Sequence, residues 1–215
     1  SYIDSNILGQ INLLEFAKKI KIKKFIYASS SSVYGGNEKM PFSVKHRVDK
    51  PISLYAASKK STELLAECYS HLFKIKCIGL RFFTVYGPWG RPDMATFIFT
   101  KKILENKKIN IFNYGNMKRD FTYIDDIISG ISLVIDKLKN ENNKYHEIYN
   151  IGYGQQVKLQ DFVYEIEKNL GRKAEKELCE SHPADTPVTW ADITKIKSLG
   201  YNPKTSIKDG VEKFI

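Results

Sequence analysis

The stretch Lys24-Phe-Ile-Tyr-Ala-Ser-Ser-Ser-Ser-Val-Tyr-Gly-Gly36 decides the fold. Its first six residues include the aromatic and β-branched run Phe25-Ile-Tyr27, which favours a short buried strand over 24–29. The serine run 29–32 ends that strand, and two glycines close the stretch. A buried strand that ends in hydroxyl side chains is typical of a ligand-binding edge in an open α/β sheet.

Helical periodicity flanks this strand on both sides. Apolar residues three and four apart predict helices over 1–20 and 54–73, and the second helix is followed by a predicted strand over 76–83. Residues 37–53 contain two prolines and are predicted to form a long loop. The order helix, strand, loop, helix, strand indicates βαβ units around a parallel sheet.

Beyond residue 84 the predicted helices and strands become shorter. Patterns of the second half predict helices over 94–105, 125–138, 159–170, 193–199 and 207–215, and short strands over 109–112, 120–123 and 147–151. We therefore expect an α/β half up to about residue 93 and a smaller mixed α/β lobe after it.

The composition limits the classes of function. The 215 residues are 42% hydrophobic and 27% charged, as in folded globular proteins. Lys and Arg number 34 against 24 Asp and Glu, and the net charge of +10 suggests nucleic acid or an anionic small molecule as a partner. Only five of these cations are Arg, whereas proteins that read nucleic-acid grooves concentrate Arg. We expect no nucleic-acid partner.

Cysteine and histidine usage suggests neither a disulfide framework nor a metal site. The three cysteines lack CxxC spacing, and the four histidines are far apart. Free thiols are typical of a reducing cytoplasm. The most apolar stretch, 127–135, is too short to cross a bilayer, so we expect a cytoplasmic protein without a membrane partner.

The first motif with chemical content is Tyr55-Ala-Ala-Ser-Lys59. Positions four apart share one face of a helix, so the phenol and the ammonium point the same way. A free tyrosine phenol has a pKa of about 10 and is a poor base at neutral pH, but a nearby cation favours the phenolate. Tyr55 could then exchange a proton with a sugar hydroxyl. Two common residues at this spacing also arise as an ordinary exposed pair.

The serine run supplies the second group of candidates. Ser30 lies 25 residues before Tyr55, at the predicted carboxyl end of a strand, and its hydroxyl could bind the substrate oxygen that Tyr55 deprotonates. The alternative is a flexible serine linker, although linkers seldom follow a run such as Phe-Ile-Tyr-Ala directly.

These motifs, together with Leu80-Arg-Phe-Phe-Thr-Val-Tyr-Gly-Pro88 and Arg119-Asp-Phe-Thr-Tyr-Ile-Asp-Asp126, resemble the extended short-chain dehydrogenases that act on nucleotide sugars. The resemblance covers the whole chain and is carried by the joint order of the motifs. It implies that 1–93, with 124–151 packed back onto it, form the C-terminal portion of a doubly wound, Rossmann-like sheet. Residues 94–123 and 152–215 would then form the substrate lobe.

The resemblance also implies roles for individual residues. Ser30, Tyr55 and Lys59 would serve the chemistry, with NAD as hydride carrier and Lys59 on its ribose. The cofactor would further be bound by residues matching Asn6, Ser29, Tyr55 and Phe82. Arg119 would bind the substrate pyrophosphate, although an ion pair with Asp120 or Asp125 is the alternative. Asp185 has its counterpart in a Pro-Ala-Asp segment.

Dehydratases and decarboxylases of this family carry acidic residues where this chain has Ser31 and Ser32. Hydroxyls cannot supply the acid–base groups that loss of water or carbon dioxide requires, so the resemblance favours epimerisation, in which only a hydride leaves and returns. Residues 84–95 and 185–192 are most similar to UDP-glucuronate 4-epimerases. Arg91 could pair with the sugar carboxylate or instead with Asp93, and Thr84 with the two serines could add neutral donors. UDP-glucose is the alternative substrate, against which His182 counts slightly.

A Gly-rich turn for dinucleotide binding is not found in this chain. The nearest pattern, Gly152-Tyr-Gly-Gln-Gln-Val157, lacks a third glycine and is expected to be a turn. We therefore expect the first βαβ units to be missing and this piece alone to be inactive. A catalytically silent scaffold stays open as an alternative. Helices 1–20 and 54–73 match the family's four-helix dimer interface, so the resemblance implies a homodimer.

Overall fold

The computed structural model describes residues 1–139, 145–181 and 185–215. Its strands are β1 Lys24–Ser30, β2 Lys76–Phe82, β3 Thr84–Tyr86, β4 Ile109–Ile111, β5 Lys118–Arg119, β6 Phe121–Tyr123, β7 His146–Ile151, β8 Val157–Lys158 and β9 Lys176–Leu178. Its α-helices are α1 Gly9–Lys19, α2 Leu54–Phe73, α3 Ala95–Leu104, α4 Ile124–Lys139, α5 Leu159–Leu170, α6 Thr194–Lys197 and α7 Ile207–Phe214.

A parallel sheet of three strands, in the order β1-β2-β7, forms the centre of the described structure. Its register aligns Ser30 with Phe82 and Phe82 with Ile151, so the three carboxyl ends lie side by side. Three two-stranded pairs accompany it: β3 with β6, β4 with β9, and β5 with β8. The pairing of β3 with β6 brings Thr84 opposite Phe121.

Alternate residues of the strands bury opposite faces of this sheet, because successive side chains of a strand point to opposite sides. One face packs with α4 and with 191–201 around Ile78, Leu80 and Ile151. The other face packs with α1 and α2 around Tyr27 and Cys77. Helices thus cover both faces, which confirms the predicted α/β fold with a doubly wound parallel sheet.

A second apolar cluster is built from α3, α5, α7 and β6, with Phe121 stacked on Phe162 at 4.2 Å between ring centroids. This cluster corresponds to the smaller lobe of the sequence prediction. Residues 191–201, which that prediction assigns to the smaller lobe, pack on the first cluster through Ala191, Ile193 and Ile196. The division into lobes stays a prediction.

Element bounds differ from the predicted ones in a few places. Residues 3–8 form a π-helical segment, Ile3–Leu8, before α1 begins. β1 extends to Ser30 because Ser30 still pairs with Phe82, and Ser31–Tyr34 then form a 3₁₀ turn. β5 and β8 are two residues long, and β9 is three, too short for alternation to reveal them in the sequence.

Candidate functional site

Five of the six predicted substrate residues meet in one place. A cavity of about 140 Å³ at the carboxyl ends of β1 and β2 is lined by Ser31, Ser32, Ile52, Ser53, Thr84, Arg119, Asp185, Thr186 and Thr189. Ser31 and Ser32 come from the 3₁₀ turn after β1, and Thr84 begins β3. Arg119 is the last residue of β5.

A larger cavity of about 630 Å³ adjoins the small one, since both are lined by Ser32, Thr84, Arg119 and Asp185. It extends between α3 and β6 past Asp93, Met94, Ala95, Ile98, Phe99, Lys102, Asn110, Phe112, Met117, Phe121 and Leu159. Its walls combine apolar side chains with polar and charged ones. The two cavities together offer room for an elongated ligand with Arg119 between its ends.

Arg119 is half-buried and is a cation that lines both cavities. Its Nη1 donates to the carbonyl oxygens of Pro187 at 2.9 Å and Lys118 at 3.1 Å. Burial lowers the pKa of Arg119, and the nearby Asp185 carboxylate opposes that effect. The expected alternative, a surface pair with Asp120 or Asp125, is not among the contacts of the described residues. The guanidinium remains charged because its unperturbed pKa is far above neutral.

Tyr55 and Lys59 lie in the first turns of α2. Ser53 caps this helix, since its Oγ accepts a hydrogen bond from the N–H of Ala56 at 3.1 Å. The Lys59 ammonium lies 6.0 Å from the Tyr55 ring centroid and donates to the carbonyl oxygen of Ala28 at 3.0 Å. Burial lowers the pKa of Lys59. Phenol and ammonium therefore lie on the same side of the helix, as predicted.

The serine run divides between two roles. Ser30 is buried, and its Oγ accepts from the N–H of Ser32 at 3.2 Å, which orders the turn that carries Ser31 and Ser32. The Ser29 hydroxyl points the other way and donates to Glu63 at 2.7 Å. The alternating faces of a strand separate these neighbours.

The predicted cofactor residues do not all line one cavity, in contrast to the predicted substrate residues. Asn6 and Lys59 line a groove of about 320 Å³ along β1, together with Ala28. The amide of Asn6 donates to Ser58 Oγ at 2.9 Å, and Ser58 in turn donates to the carbonyl oxygen of Tyr55. Ser29 faces Glu63, and Phe82 packs against the first apolar cluster.

Arg91 is paired with Asp93, a residue that lines the larger cavity. Its guanidinium forms a two-point ion pair with Asp93, with Nε–Oδ1 at 3.0 Å and Nη2–Oδ2 at 2.7 Å, and both side chains are exposed. The structure therefore has the alternative contact that the sequence left open for Arg91. His182 and Pro183–Ala184, two further features of the sequence, lie outside the described residues.

Sequence reasoning missed several residues of this region. Thr186 and Thr189 line the cavity beside Asp185. Asp120, next to Arg119, is buried and accepts hydrogen bonds from three backbone amides. A lone acidic residue in an aromatic run is a weak signal for burial, and threonines in a loop carry none.

The described residues contain neither a cluster of metal ligands nor a helix that could cross a membrane. Over the ranges 1–139, 145–181 and 185–215, three or more His, Cys, Asp or Glu side chains never cluster as metal ligands would. Within the same ranges, every helix is too short or too polar to cross a membrane.

The fold and the site define a class: a doubly wound α/β protein with Ser, Tyr and Lys at the carboxyl edge of a parallel sheet, beside a polar cavity with an arginine. Residues 1–152 match the model of the NAD dependent epimerase/dehydratase family. The chain belongs to this family, which confirms the resemblance seen in its motifs.

Individual relatives agree with this assignment. Protein CapI of Staphylococcus aureus is 47% identical over 229 residues, covering 100% of this chain and 69% of the relative. A probable UDP-glucuronate 4-epimerase of Rhizobium meliloti is 42% identical, covering 100% of this chain and 67% of the relative. The chain thus spans about two thirds of the length of these relatives.

A solved structure is also similar. UDP-glucuronic acid 4-epimerase from Bacillus cereus, in complex with UDP-glucuronic acid and NAD, superposes with a TM-score of 0.91 at 40% identity. The match covers 99% of this chain and 66% of that one. Parallel sheet and flanking helices therefore correspond over nearly all of this chain.

Proposed function

We propose that the protein catalyses the NAD-dependent 4-epimerisation of a UDP-sugar, interconverting UDP-glucuronate and UDP-galacturonate. One observation carries the proposal: a single cavity is lined by Ser31, Ser32, Thr84, Arg119 and Asp185. The same cavity is lined by Ser53, the N-cap of the helix that carries Tyr55. The family match and the relatives named as UDP-glucuronate 4-epimerases support it.

The residues present fit a nicotinamide cofactor. Lys59 is a partly desolvated cation that lines a groove of about 320 Å³ along β1, and its ammonium donates to a backbone carbonyl, that of Ala28. Lys59 would hold the ribose there, with Asn6 fixing the helix through Ser58. When bound, NAD supplies reversible hydride transfer at the C4 carbon of the sugar.

Tyr55 removes the proton of the sugar 4-hydroxyl and later returns it. The Lys59 ammonium, 6.0 Å from the Tyr55 ring centroid, is the neighbouring cation that this proton transfer needs. Ser30, at the end of β1, orders the turn that presents Ser31 and Ser32 to the same sugar. The keto sugar turns over between the two proton transfers, and this inverts the configuration at C4.

Arg119 binds the pyrophosphate between the two cavities. A guanidinium presents parallel N–H donors that match phosphate oxygens, and burial strengthens such a bond by excluding water. Its Nη1 is held by the Pro187 carbonyl, so its fork is oriented before the substrate arrives. The sugar then lies towards Ser31, Ser32 and Thr84, and the nucleoside towards α3.

UDP-glucose is a second candidate substrate, favoured by one observation. Arg91 is bound to Asp93, so the donors that line the described cavity near the sugar end are the neutral hydroxyls of Ser31, Ser32 and Thr84. Hydroxyls accommodate a C6 hydroxymethyl group as readily as a carboxylate. A uronate would gain from Arg91 only after the Arg91–Asp93 pair opens.

We further propose a homodimer that associates through α1 and α2. Each helix buries one face against the sheet, and each carries exposed apolar residues as well. These are Leu13 and Phe16 on α1, with Ile20 directly after it, and Leu64 and Leu72 on α2. These side chains are between 50 and 59% exposed. Their burial against a second copy would form a four-helix interface.

A cytoplasmic location is part of the same proposal. Cys68, Cys77 and Cys179 are all free thiols in the structure. Burial raises the pKa of the Cys77 thiol to about 12, which makes it inert. Free thiols of this kind persist in a reducing compartment.

The proposed activity is tested by incubating the full-length protein and NAD with UDP-glucuronate, and separately with UDP-glucose, and resolving the products by chromatography. Formation of UDP-galacturonate supports the proposal. Product from UDP-glucose alone would transfer the assignment to the second candidate. If the protein binds a UDP-sugar but converts neither substrate, it is the silent scaffold instead.

A further inference from the structure

Asp120 joins three segments that are distant in sequence. Its fully buried carboxylate accepts hydrogen bonds from the backbone N–H groups of Tyr153 at 2.7 Å, Gly154 at 3.0 Å and Ala191 at 3.0 Å. A fourth bond comes from the Thr122 hydroxyl at 3.2 Å. One side chain thus connects the loop after β7 and the segment before α6 to β6.

The backbone of Asp120 links the same junction to the small cavity. The N–H of Thr84 donates to the Asp120 carbonyl oxygen at 3.1 Å, and the Asp120 N–H donates to Thr189 Oγ1 at 3.3 Å. Both threonines line that cavity. Arg119, the preceding residue, is held by the carbonyl of Pro187 on the segment that Ala191 anchors. The cavity walls therefore meet at Asp120.

The packing around this junction is tight. A Cβ atom at position 152 would lie 2.7 Å from the Cβ of Ala191 and 3.2 Å from Asp120 Oδ1. Only glycine at that position lets the loop approach closely enough for Tyr153 and Gly154 to donate to the carboxylate. The sequence thus provides the acceptor, Asp120, and a glycine at position 152 that leaves room for the donors to reach it.

We propose that Asp120 is a positioning residue for the nucleotide-sugar site: its carboxylate holds the loop after β7 and the segment 185–191 against β6, and so fixes Arg119, Thr84 and Thr189 around the substrate. This inference rests on the proposed function. Asp120 acts through these neighbours and does not line the cavities of the described structure.

The arrangement requires the ionised carboxylate. Two oxygens that accept four bonds leave no place for a proton, because a protonated carboxyl turns one acceptor into a donor. Burial raises the pKa of Asp120 to about 6, against the opposing effect of the amide and Thr122 bonds. We call the hydrogen bonds of the Asp120 carboxylate to these backbone amides the Asp120 clamp. These bonds should weaken as the pH falls through about 6.

The other titratable groups on the elements around Asp120 form no ion pair with its carboxylate in the described structure. They are the phenol of Tyr153 in the loop and the phenol of Tyr201 in the C-terminal segment, which donates to the Gly152 carbonyl at 3.0 Å. The Asp126 carboxylate, on α4, is bound to other amides. The Arg119 guanidinium turns to the Pro187 carbonyl.

Asp126 provides a matched control within the chain. It is also buried, and its carboxylate accepts from the backbone N–H groups of Lys204 and Thr205 at 3.0 Å each. These amides belong to the segment before α7, which does not line the two cavities of the described structure. Asp126→Asn weakens a clamp of the same kind without touching the proposed substrate site.

The experiment compares the full-length wild type, Asp120→Asn and Asp126→Asn by calorimetric titration with UDP-glucuronate, whose charge is constant over this pH range. Wild-type affinity should fall about tenfold from about pH 7.5 to about pH 5, because a group with a pKa near 6 is then about nine-tenths protonated. Asp120→Asn should bind about tenfold more weakly at both pH values. Asp126→Asn should behave as the wild type.

Two results would overturn the inference: wild-type affinity in Asp120→Asn at about pH 7.5, or an equal loss of affinity in Asp126→Asn. If the wild type does not bind UDP-glucuronate, the proposed function fails, and amide protection measured by NMR hydrogen exchange decides the inference by itself. Protection of the Tyr153, Gly154 and Ala191 amides should then fall at least about tenfold in Asp120→Asn, or in the wild type at about pH 5, while Lys204 and Thr205 keep theirs. Loss at all five amides alike contradicts the clamp.

Discussion

Glu63 and Arg81 form a buried two-point ion pair, with Nε–Oε1 and Nη2–Oε2 both at 2.8 Å, one helical turn beyond Lys59. Arg81 is the register partner of Ser29 on the neighbouring strand, and Ser29 also donates to Glu63 at 2.7 Å. The pair therefore ties α2, which carries Tyr55 and Lys59, to the ends of β1 and β2.

Breaking this pair should destabilise the fold strongly. Burial raises the pKa of Glu63, but the bonds from Arg81 and Ser29 more than offset that effect and hold it below its usual value. Glu63→Gln leaves the Arg81 charge buried without its counter-ion, so the free energy of unfolding in urea should fall by about 3–5 kcal/mol. The exposed pair Arg47–Asp49 is the control, since Asp49→Asn should change it by less than about 1 kcal/mol. Similar losses in both variants would contradict the role of burial.

Replacing Tyr55 by Phe should remove the proposed base and keep the fold. Epimerisation should fall by at least about a hundredfold, because general acid–base catalysis contributes that much, while the KM of any residual activity stays within about twofold. Tyr69→Phe is the matched control on the same helix, since the Tyr69 hydroxyl bonds Glu15 at the surface. Turnover measured by chromatography decides, and an active Tyr55→Phe enzyme refutes the assignment.

Arg119→Lys should weaken substrate binding more than turnover. A lysine cannot present two parallel donors to a pyrophosphate, so KM for the UDP-sugar should rise about tenfold or more, with kcat changed far less. Arg172→Lys is the control: Arg172 also donates to a backbone carbonyl, that of Leu104 at 2.9 Å, but is exposed and lines neither cavity in the described structure. An unchanged KM in Arg119→Lys would assign the pyrophosphate to another residue.

Stability should depend on pH through His146. This side chain bonds the Tyr27 hydroxyl at 2.8 Å and the Glu67 carboxylate, and burial lowers its pKa, with Glu67 opposing. Because the folded pKa lies below the ordinary 6.5, the unfolded state takes up the proton first. The contribution of His146 is thus present above about pH 6.5 and is lost as the pH falls towards the folded pKa.

Urea titrations across about pH 5 to 7.5 isolate this loss when the wild type is compared with His146→Gln at each pH, because the opposite contribution of Asp120 is common to both proteins. The stability of the wild type relative to His146→Gln should fall as the pH falls, whereas its stability relative to the exposed His71→Gln variant should stay constant. A difference between the wild type and His146→Gln that does not change with pH would locate the titrating group elsewhere.

The proposed dimer is tested by placing a charge among the exposed apolar residues of α2. Leu64→Glu should shift sedimentation velocity from dimer to monomer, since an unpaired charge cannot be buried in an interface without a large cost. Ile128→Glu alters a similarly exposed apolar residue on α4 and should leave the assembly unchanged. A monomeric wild type would reject the interface outright.

Much of the architecture could be predicted from the sequence. The bounds of α2 and α5 agree with the predicted 54–73 and 159–170, because long amphipathic segments have clear periodicity and Ser53 caps the first of them. Strand ends and the two-residue strands were not predictable, since they depend on pairing partners far along the chain. Ser30 is in β1 only because Phe82 lies beside it.

The candidate site was predictable in its members but not in its contacts. The motifs identified Ser31, Ser32, Thr84, Arg119 and Asp185, which the fold brings to one cavity. They also included Arg91 and Ser29, whose side chains bond Asp93 and Glu63 instead. Which neighbour a charged side chain takes is set by local geometry that residue identity does not encode.

The sequence by itself determined the α/β class, the order of the elements and the family, because periodicity and motif spacing are properties of the chain alone. Only the tertiary structure decided that Asp120 is buried under three backbone amides and that Glu63 neutralises Arg81. Both facts depend on segments that meet across long sequence separations, where burial raises the cost of an unpaired charge and makes each partner indispensable.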